Sequence, residues 1–210
     1  KAQSFGHAQA MNKGIYLIWD LPSAAVAAPD EFFDALEGDY PCAVQLRAKQ
    51  SQVRPIIFDA LVTACRHRSI EFYINDRMDW LAPGVDGIHL GQGDGDPPND
   101  TSIVVGRSTH TLEQVRQAAS DDRIAMLGFG PIRETYSKRD ALAARGFDLL
   151  ARAVEHAQHK PVVAIGGLTV DDLLSVHQTG AHAAAVISSV WSAPDPVTAL
   201  RLLVRSWNAL

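Results

Sequence analysis

Cysteine is nearly absent: Cys42 and Cys65 are the only two in 210 residues. They form no C-x-x-C pair and no Cys/His pattern of the kind that holds zinc, and give no ground for a disulfide. A reducing cytoplasm suits them. Long apolar runs are missing too, because charges, glycines and prolines break every hydrophobic segment before the roughly 18–20 residues that cross a bilayer. A membrane is therefore not an expected partner. Positive charge is in short supply: 19 Lys and Arg stand against 24 Asp and Glu, a formal net charge of −5. Without a broad cationic field, nucleic acid is not expected as the main partner, and any anion must be caught locally. Residues 1–13 lack the apolar stretch of a secretory signal, so no export is expected, and this polar leader is given no function. No charge run, low-complexity linker or fixed-period repeat divides the rest, and one domain over 14–210 is expected.

What is present is a regular alternation. Short β-rich runs occur at 15–19, 43–47, 71–75, 87–90, 103–106, 124–128, 162–166 and 184–188. Helix-patterned segments at 53–67, 111–119, 141–158, 170–179 and 196–207 separate most of them. Thr111 and Thr169 stand where helix N-caps belong, and Gly180 where a helix ends. The connection 77–83 is short, and 93–101, dominated by Gly, Pro, Asn and Asp, reads as a loop with at most one turn. Strands alternating with helices give a parallel sheet, either an open doubly wound one or a closed (β/α)8 TIM barrel. The barrel is favoured by where the polar residues fall. Nearly every strand delivers them at its C-terminal end, and a barrel gathers those ends around one axis.

Arg47 and Lys49 end the second run two positions apart, so that on a strand they would share one side and suit a phosphate; a solvated pair at a loop start is the plain alternative. Asn75, Asp76 and the later Gln92 and Asp94 supply hard oxygen ligands that Mg²⁺ prefers, although Asp76 equally suits a helix cap and Asp94 an Asx-turn. Gly128 to Pro131 followed by Thr135, Ser137 and Lys138 reads as a loop bringing hydroxyls and one cation over an anion. Ile165-Gly166-Gly167 and Ile187-Ser188-Ser189 follow the seventh and eighth runs, where this fold commonly binds phosphate on bare backbone N–H groups. His89 is read as satisfying a backbone carbonyl. His110, two residues beyond Ser108, could act as an acid or base, but no Ser-His-Asp or Cys-His order accompanies it. Trp19, Trp80, Trp191 and Trp207 read as packing residues.

Seven strings in order, VQLRAK, YINDR, GIHLGQGD, VGRSTHT, GFGPIRETYSKRD, AIGGLT and AVISSV, resemble the thiamine-phosphate synthase (thiamine-phosphate pyrophosphorylase) family over almost the whole chain. The resemblance implies a reaction in which hydroxymethylpyrimidine diphosphate loses pyrophosphate and the ring nitrogen of a thiazole phosphate captures the methylene, giving thiamine monophosphate. It also implies roles. Gln45 would touch the pyrimidine, while Arg47, Lys49, Ser108 and Lys138 would hold the diphosphate. Asp76 and Asp94 would bind Mg²⁺, with Asn75 beside them, and Thr135, Ser137, Gly167, Ile187 and Ser188 would surround the thiazole phosphate. No protein nucleophile is needed.

The chain departs from the family pattern in places. Ala48 replaces an acidic residue between the two cations, and Trp19 stands where a small hydroxyl residue commonly precedes Asp20. Arg133-Glu134 and Tyr136 replace an aromatic-Pro and a Pro, while Ser137 keeps the hydroxyl of a threonine. A thiazole tautomerase shares the Gly-Arg-Ser…His stretch but typically lacks the metal-binding carboxylates that Asp76 and Asp94 provide here. A phosphate-binding barrel without catalysis is the third reading. The sequence is compatible with a homodimer and does not specify one.

Overall fold

The computed structural model describes residues 11–21, 23, 24, 28–49, 51, 54–100, 102–134 and 143–210. Eight strands form a closed barrel in chain order: β1 Gly14–Asp20, β2 Ala43–Arg47, β3 Glu71–Asn75, β4 Gly87–Leu90, β5 Val104–Thr109, β6 Met126–Phe129, β7 Val162–Ile165 and β8 Ala183–Val186. Every neighbouring pair is parallel, and β8 closes on β1 with Tyr16 opposite Ala185. The closed (β/α)8 arrangement is thus the one adopted, and it removes the sheet edges that an open arrangement would leave.

Period-2 alternation explains the near-continuous apolar strands, because both faces of each strand are covered. Tyr16, Ile18, Ala43, Tyr73, Met126, Val163, Ala183 and Ala185 fill the barrel interior as one cluster. Their neighbours, such as Leu17, Trp19, Val44, Leu46, Phe72 and Ile74, pack outward in a second, larger cluster with the helices. Those helices are α1 Pro29–Asp34, α2 Ile57–His67, α3 Leu112–Ala119, α4 Gly146–His156, α5 Leu173–Gln178, α6 Ser188–Trp191 and α7 Pro196–Asn208. Thr111 caps α3 by accepting from the Gln114 N–H at 3.2 Å. Thr169 and Asp172 form a capping box at a 3₁₀ turn, Val170–Asp172, that leads into α5.

Several boundaries differ from those expected. The helix expected over 170–179 is split into that turn and α5; the one expected over 141–158 spans Gly146–His156, with 141 and 142 outside the described residues. Neither α1 nor α6 was expected, being six and four residues long, too short for a helical period to register. The eighth strand ends at Val186, so Ser188 opens α6 instead of ending a strand. The run Ala183 to Ile187 is uniformly apolar and gives no sign of where extended backbone stops. The fifth strand continues to Thr109, which places Ser108 within it. Trp19 is fully buried under α1 and α6, its ring centroid 5.3 Å from Phe32, 5.9 Å from Phe33 and 4.8 Å from Trp191. Both cysteines are free. Among the described residues no helix is long and apolar enough to cross a membrane.

Candidate active site

The C-terminal strand ends enclose a cavity of about 290 Å³ whose lining includes Gln45, Arg47, Asn75, Ser108, Gly167, Ile187 and Ser188. Seven expected site residues from five different segments thus meet in one place. Thr135, Ser137 and Lys138, together with Tyr136, lie outside the described residues.

Strand register builds the floor. Tyr16, Gln45 and Asn75 are inward residues on adjacent strands, each a step further toward the mouth, as the stagger of a barrel requires. The Tyr16 hydroxyl donates to Gln45 Oε1 at 2.9 Å, and Gln45 Nε2 donates to Asn75 Oδ1 at 2.6 Å. With both amide oxygens engaged as acceptors, Asn75 Nδ2 is a buried donor with no partner among the described residues, in the wall of the cavity. Buried donors are rarely left unpaired, so a ligand acceptor is the natural occupant of that direction. Burial pushes the Tyr16 hydroxyl well above its usual pKa, which keeps it a neutral donor.

The cations and carboxylates sit at the rim. Arg47 lies directly opposite Asp20 in the β1–β2 register and bonds its Oδ1 through Nη1. The strand ends there, and Lys49 lies in the following turn, with its Nζ 3.0 Å from Asp76 Oδ2. The expectation that both cations share one side of a strand is corrected: each pairs with its own carboxylate, because alternation stops where extended backbone stops. Asp76 has φ 63° and its N–H donates to the His89 carbonyl at 3.0 Å, which turns the chain sharply out of β3. Asp94 Oδ2 accepts from the Gly91 N–H at 2.6 Å. A Cβ on Gly91 would stand 2.6 Å from that same oxygen, so a larger residue there would push the Asp94 carboxylate off this N–H. Burial first, and then the neighbouring Asp94 carboxyl, raise the Asp76 carboxyl above its ordinary pKa, while hydrogen bonding to Asp76 holds Asp94 below its own. Like charges this close resist joint ionisation unless a cation joins them.

Among the described residues no three His, Cys, Asp or Glu side chains gather into a metal cage. The Asp76–Asp94 pair nevertheless fits Mg²⁺, which usually takes one or two carboxylates and completes its shell with water and substrate phosphate.

Both histidines line the cavity, with different partners. His89 Nε2 lies 3.0 Å from the Ser108 hydroxyl inside the cavity, whereas His110 Nδ1 meets the Gly130 carbonyl at 2.6 Å. His110 satisfies a backbone carbonyl, so its Nδ1 must carry the proton, because a carbonyl only accepts. The difference is strand parity: on β4, His89 stands opposite Gly106, and the glycines at 106 and 128 leave room for its ring. Tyr16, whose hydroxyl orients Gln45, is a cavity residue that the sequence did not single out, and His89 is one that it did not place in a cavity. Their signal was the inward parity shared with Ile18 and Gln45, which emerges only once the register is fixed.

At the opposite wall, Gly166 and Gly167 have φ 106° and 66°, and Gly167 lies so close to the chain after β6 that a Cβ would stand 2.6 Å from the Glu134 carbonyl oxygen.

A sequence profile of the family described as thiamine monophosphate synthase matches residues 15–190. A thiamine-phosphate synthase from Thermus thermophilus is 37% identical over 166 residues, covering 76% of this chain and 80% of that protein. One from Geobacillus thermodenitrificans is 33% identical over 207 residues, covering 92% and 93%. Among solved structures, the thiamine phosphate pyrophosphorylase from Pyrococcus furiosus superposes with a TM-score of 0.79 at 28% identity, over 93% of this chain and 96% of that one. None of these relatives favours the tautomerase or the non-catalytic reading. With the profile spanning the strands from β1 to β8 and the Geobacillus relative matched nearly end to end, the chain belongs to the thiamine monophosphate synthase family.

Proposed function

We propose that this member of the family joins hydroxymethylpyrimidine diphosphate to thiazole phosphate by a dissociative substitution at the barrel mouth, releasing pyrophosphate. The observation that carries the reading is the meeting of Arg47, Ser108, Asn75 and the glycine turn at 166–167 around one cavity, at the same end of the barrel as the Lys49–Asp76 ion pair.

Gln45, its amide oriented by Tyr16, faces the pyrimidine, and the free Asn75 amide N–H donates to the diphosphate end. Arg47, Lys49, Ser108 and, by family resemblance, Lys138 bind the diphosphate oxygens, so that negative charge growing on them as the carbon–oxygen bond breaks meets fixed donors. The bonding electron pair leaves with pyrophosphate, and the electron-rich aminopyrimidine spreads the positive charge left on the methylene. The thiazole nitrogen then supplies the pair for the new carbon–nitrogen bond. Asp76 and Asp94 would hold Mg²⁺, which when bound supplies positive charge against the departing pyrophosphate. Gly167, Ile187 and Ser188, with Thr135 and Ser137 by resemblance, surround the thiazole phosphate. A cavity of about 290 Å³ closed below by packed side chains also limits water, which would otherwise capture the methylene. The free thiols support a cytoplasmic place of action, and the net charge of −5 supports small phosphorylated substrates over nucleic acid.

The test is incubation of the purified protein with both substrates and Mg²⁺, with chromatographic detection of thiamine monophosphate and a coupled assay for pyrophosphate. Equimolar appearance of both supports the reading. A folded protein that forms neither refutes it.

A further inference from the structure

The glycine turn that lines the phosphate end of the cavity is braced from outside by residues with no role in the reaction described above. Two adjacent glycines at positive φ form a pliable connection, and a pliable connection holds an anion poorly unless something fixes its ends. Here both ends run to a single side chain. At the near end, the Ile132 N–H donates to the Ile165 carbonyl at 2.9 Å and the Arg133 N–H to the Gly166 carbonyl at 3.0 Å. At the far end, Asp172 Oδ2 accepts from the Thr169 N–H at 3.0 Å and from its hydroxyl at 3.2 Å. The other oxygen, Asp172 Oδ1, accepts from Arg133 Nε at 3.0 Å and Nη2 at 2.7 Å. Arg133 also stacks on Phe147 of α4, its guanidinium carbon 4.8 Å from the ring centroid. The ring of contacts is therefore closed: Arg133 backbone, Gly166, the turn, Thr169, Asp172 and back to the Arg133 guanidinium.

Asp172 is only 6% exposed. A buried carboxylate needs a cation or several donors, and replacing Arg133 would leave one oxygen of Asp172 without either of its guanidinium bonds. Arg133 does not line the cavity, so its effect on a ligand must pass through the turn.

We propose that Arg133, acting through Asp172, is a positioning residue for the phosphate of the second substrate, setting where the backbone of Gly166 and Gly167 stands. The proposal rests on the assignment of thiazole phosphate to that wall. Arg133 stands where the family pattern has an aromatic residue, so this chain braces its turn with an ion pair.

Steady-state kinetics on Arg133→Ala, Arg133→Lys and Asp172→Asn, each substrate varied with the other saturating, test it, with folding checked by circular dichroism. The expected result for Arg133→Ala is a rise of about tenfold in the thiazole phosphate KM with the diphosphate KM changed by less than about twofold, and a smaller rise for Arg133→Lys, which keeps the charge but not the fork. Asp172→Asn should follow Arg133→Ala. A merely structural ion pair would instead lower Tm and leave both KM values alone, and that result overturns the proposal. Ser188→Asp, which places negative charge against the anion, separates the two failures. If Ser188→Asp raises the thiazole phosphate KM and no Arg133 variant does, the brace is wrong and the site assignment stands; if neither does, the assignment itself falls, and the brace with it.

Discussion

Arg47 and Asp20 meet side by side at the ends of β1 and β2, and Ser23 donates a further bond to Asp20 Oδ2 at 3.2 Å. The guanidinium is thus oriented before any substrate arrives, which lowers the entropy lost when a phosphate binds. Replacing Arg47 by Ala removes a charge-assisted donor of about 1.5–3 kcal/mol, so kcat/KM for the diphosphate should fall by about tenfold to a hundredfold while the thiazole phosphate KM stays near its wild-type value. Substrate-specific kinetics check this, and an unchanged kcat/KM in a folded variant contradicts the role given to Arg47. At this scale the sequence was informative about residue type and less so about partners. The cations, the carboxylates and the amides were visible in it as groups at strand ends. Which carboxylate each cation meets, and which histidine faces Ser108, depended on register and on where extended backbone stops, and neither is written in any one string.

Elements pack by the same parity that places the site. On β1, Tyr16 and Ile18 turn into the barrel while Leu17 and Trp19 turn out, and the indole of Trp19 fills the space between the short helices α1 and α6. Trp191 of α6 in turn donates its Nε1–H to the Ile18 carbonyl at 2.8 Å, fastening the helix that carries Ser188 to the first strand. Trp19→Ala should therefore cost about 3–5 kcal/mol of stability, the usual range for deleting a large buried aromatic side chain. Denaturant unfolding measures it; a loss below about 1 kcal/mol would mean that the cluster collapses around the gap without penalty. The strands themselves were legible in the sequence, all eight in the right order, because a buried parallel strand is a short apolar run bounded by turn residues. Their ends were less so, and α1 and α6 were invisible, because a four- or six-residue helix is held by what it packs on and not by its own period.

Across the whole molecule, burial sets the response to alkali. It pushes the thiols of Cys42 and Cys65 from 9.0 to about 12, and pushes the hydroxyls of Tyr16 and Tyr73 upward as well. In the unfolded chain these groups release their protons near their ordinary values, so above pH 9 the unfolded state binds fewer protons than the folded one. Stability from them is complete below about pH 9 and is lost progressively as pH rises toward 12. The urea midpoint should match at pH 7 and 8 and fall by pH 10, and a Cys65→Ala variant should fall less steeply; an equal slope in that variant would contradict the assignment. The closed barrel itself followed from the clustering of polar residues after so many strands, since only closure brings those ends together. The shape of the cavity could not be read in that way, because it depends on which inward side chains are small enough to leave room. The proposed Mg²⁺ site between Asp76 and Asp94 is tested by a Mg²⁺ titration of thiamine monophosphate formation in wild type and in an Asp76→Asn, Asp94→Asn double variant. Two lost negative charges should abolish saturable Mg²⁺ dependence and lower turnover by about a hundredfold or more in a variant that remains folded. Wild-type turnover by the double variant, with no dependence on Mg²⁺ in either protein, would contradict it.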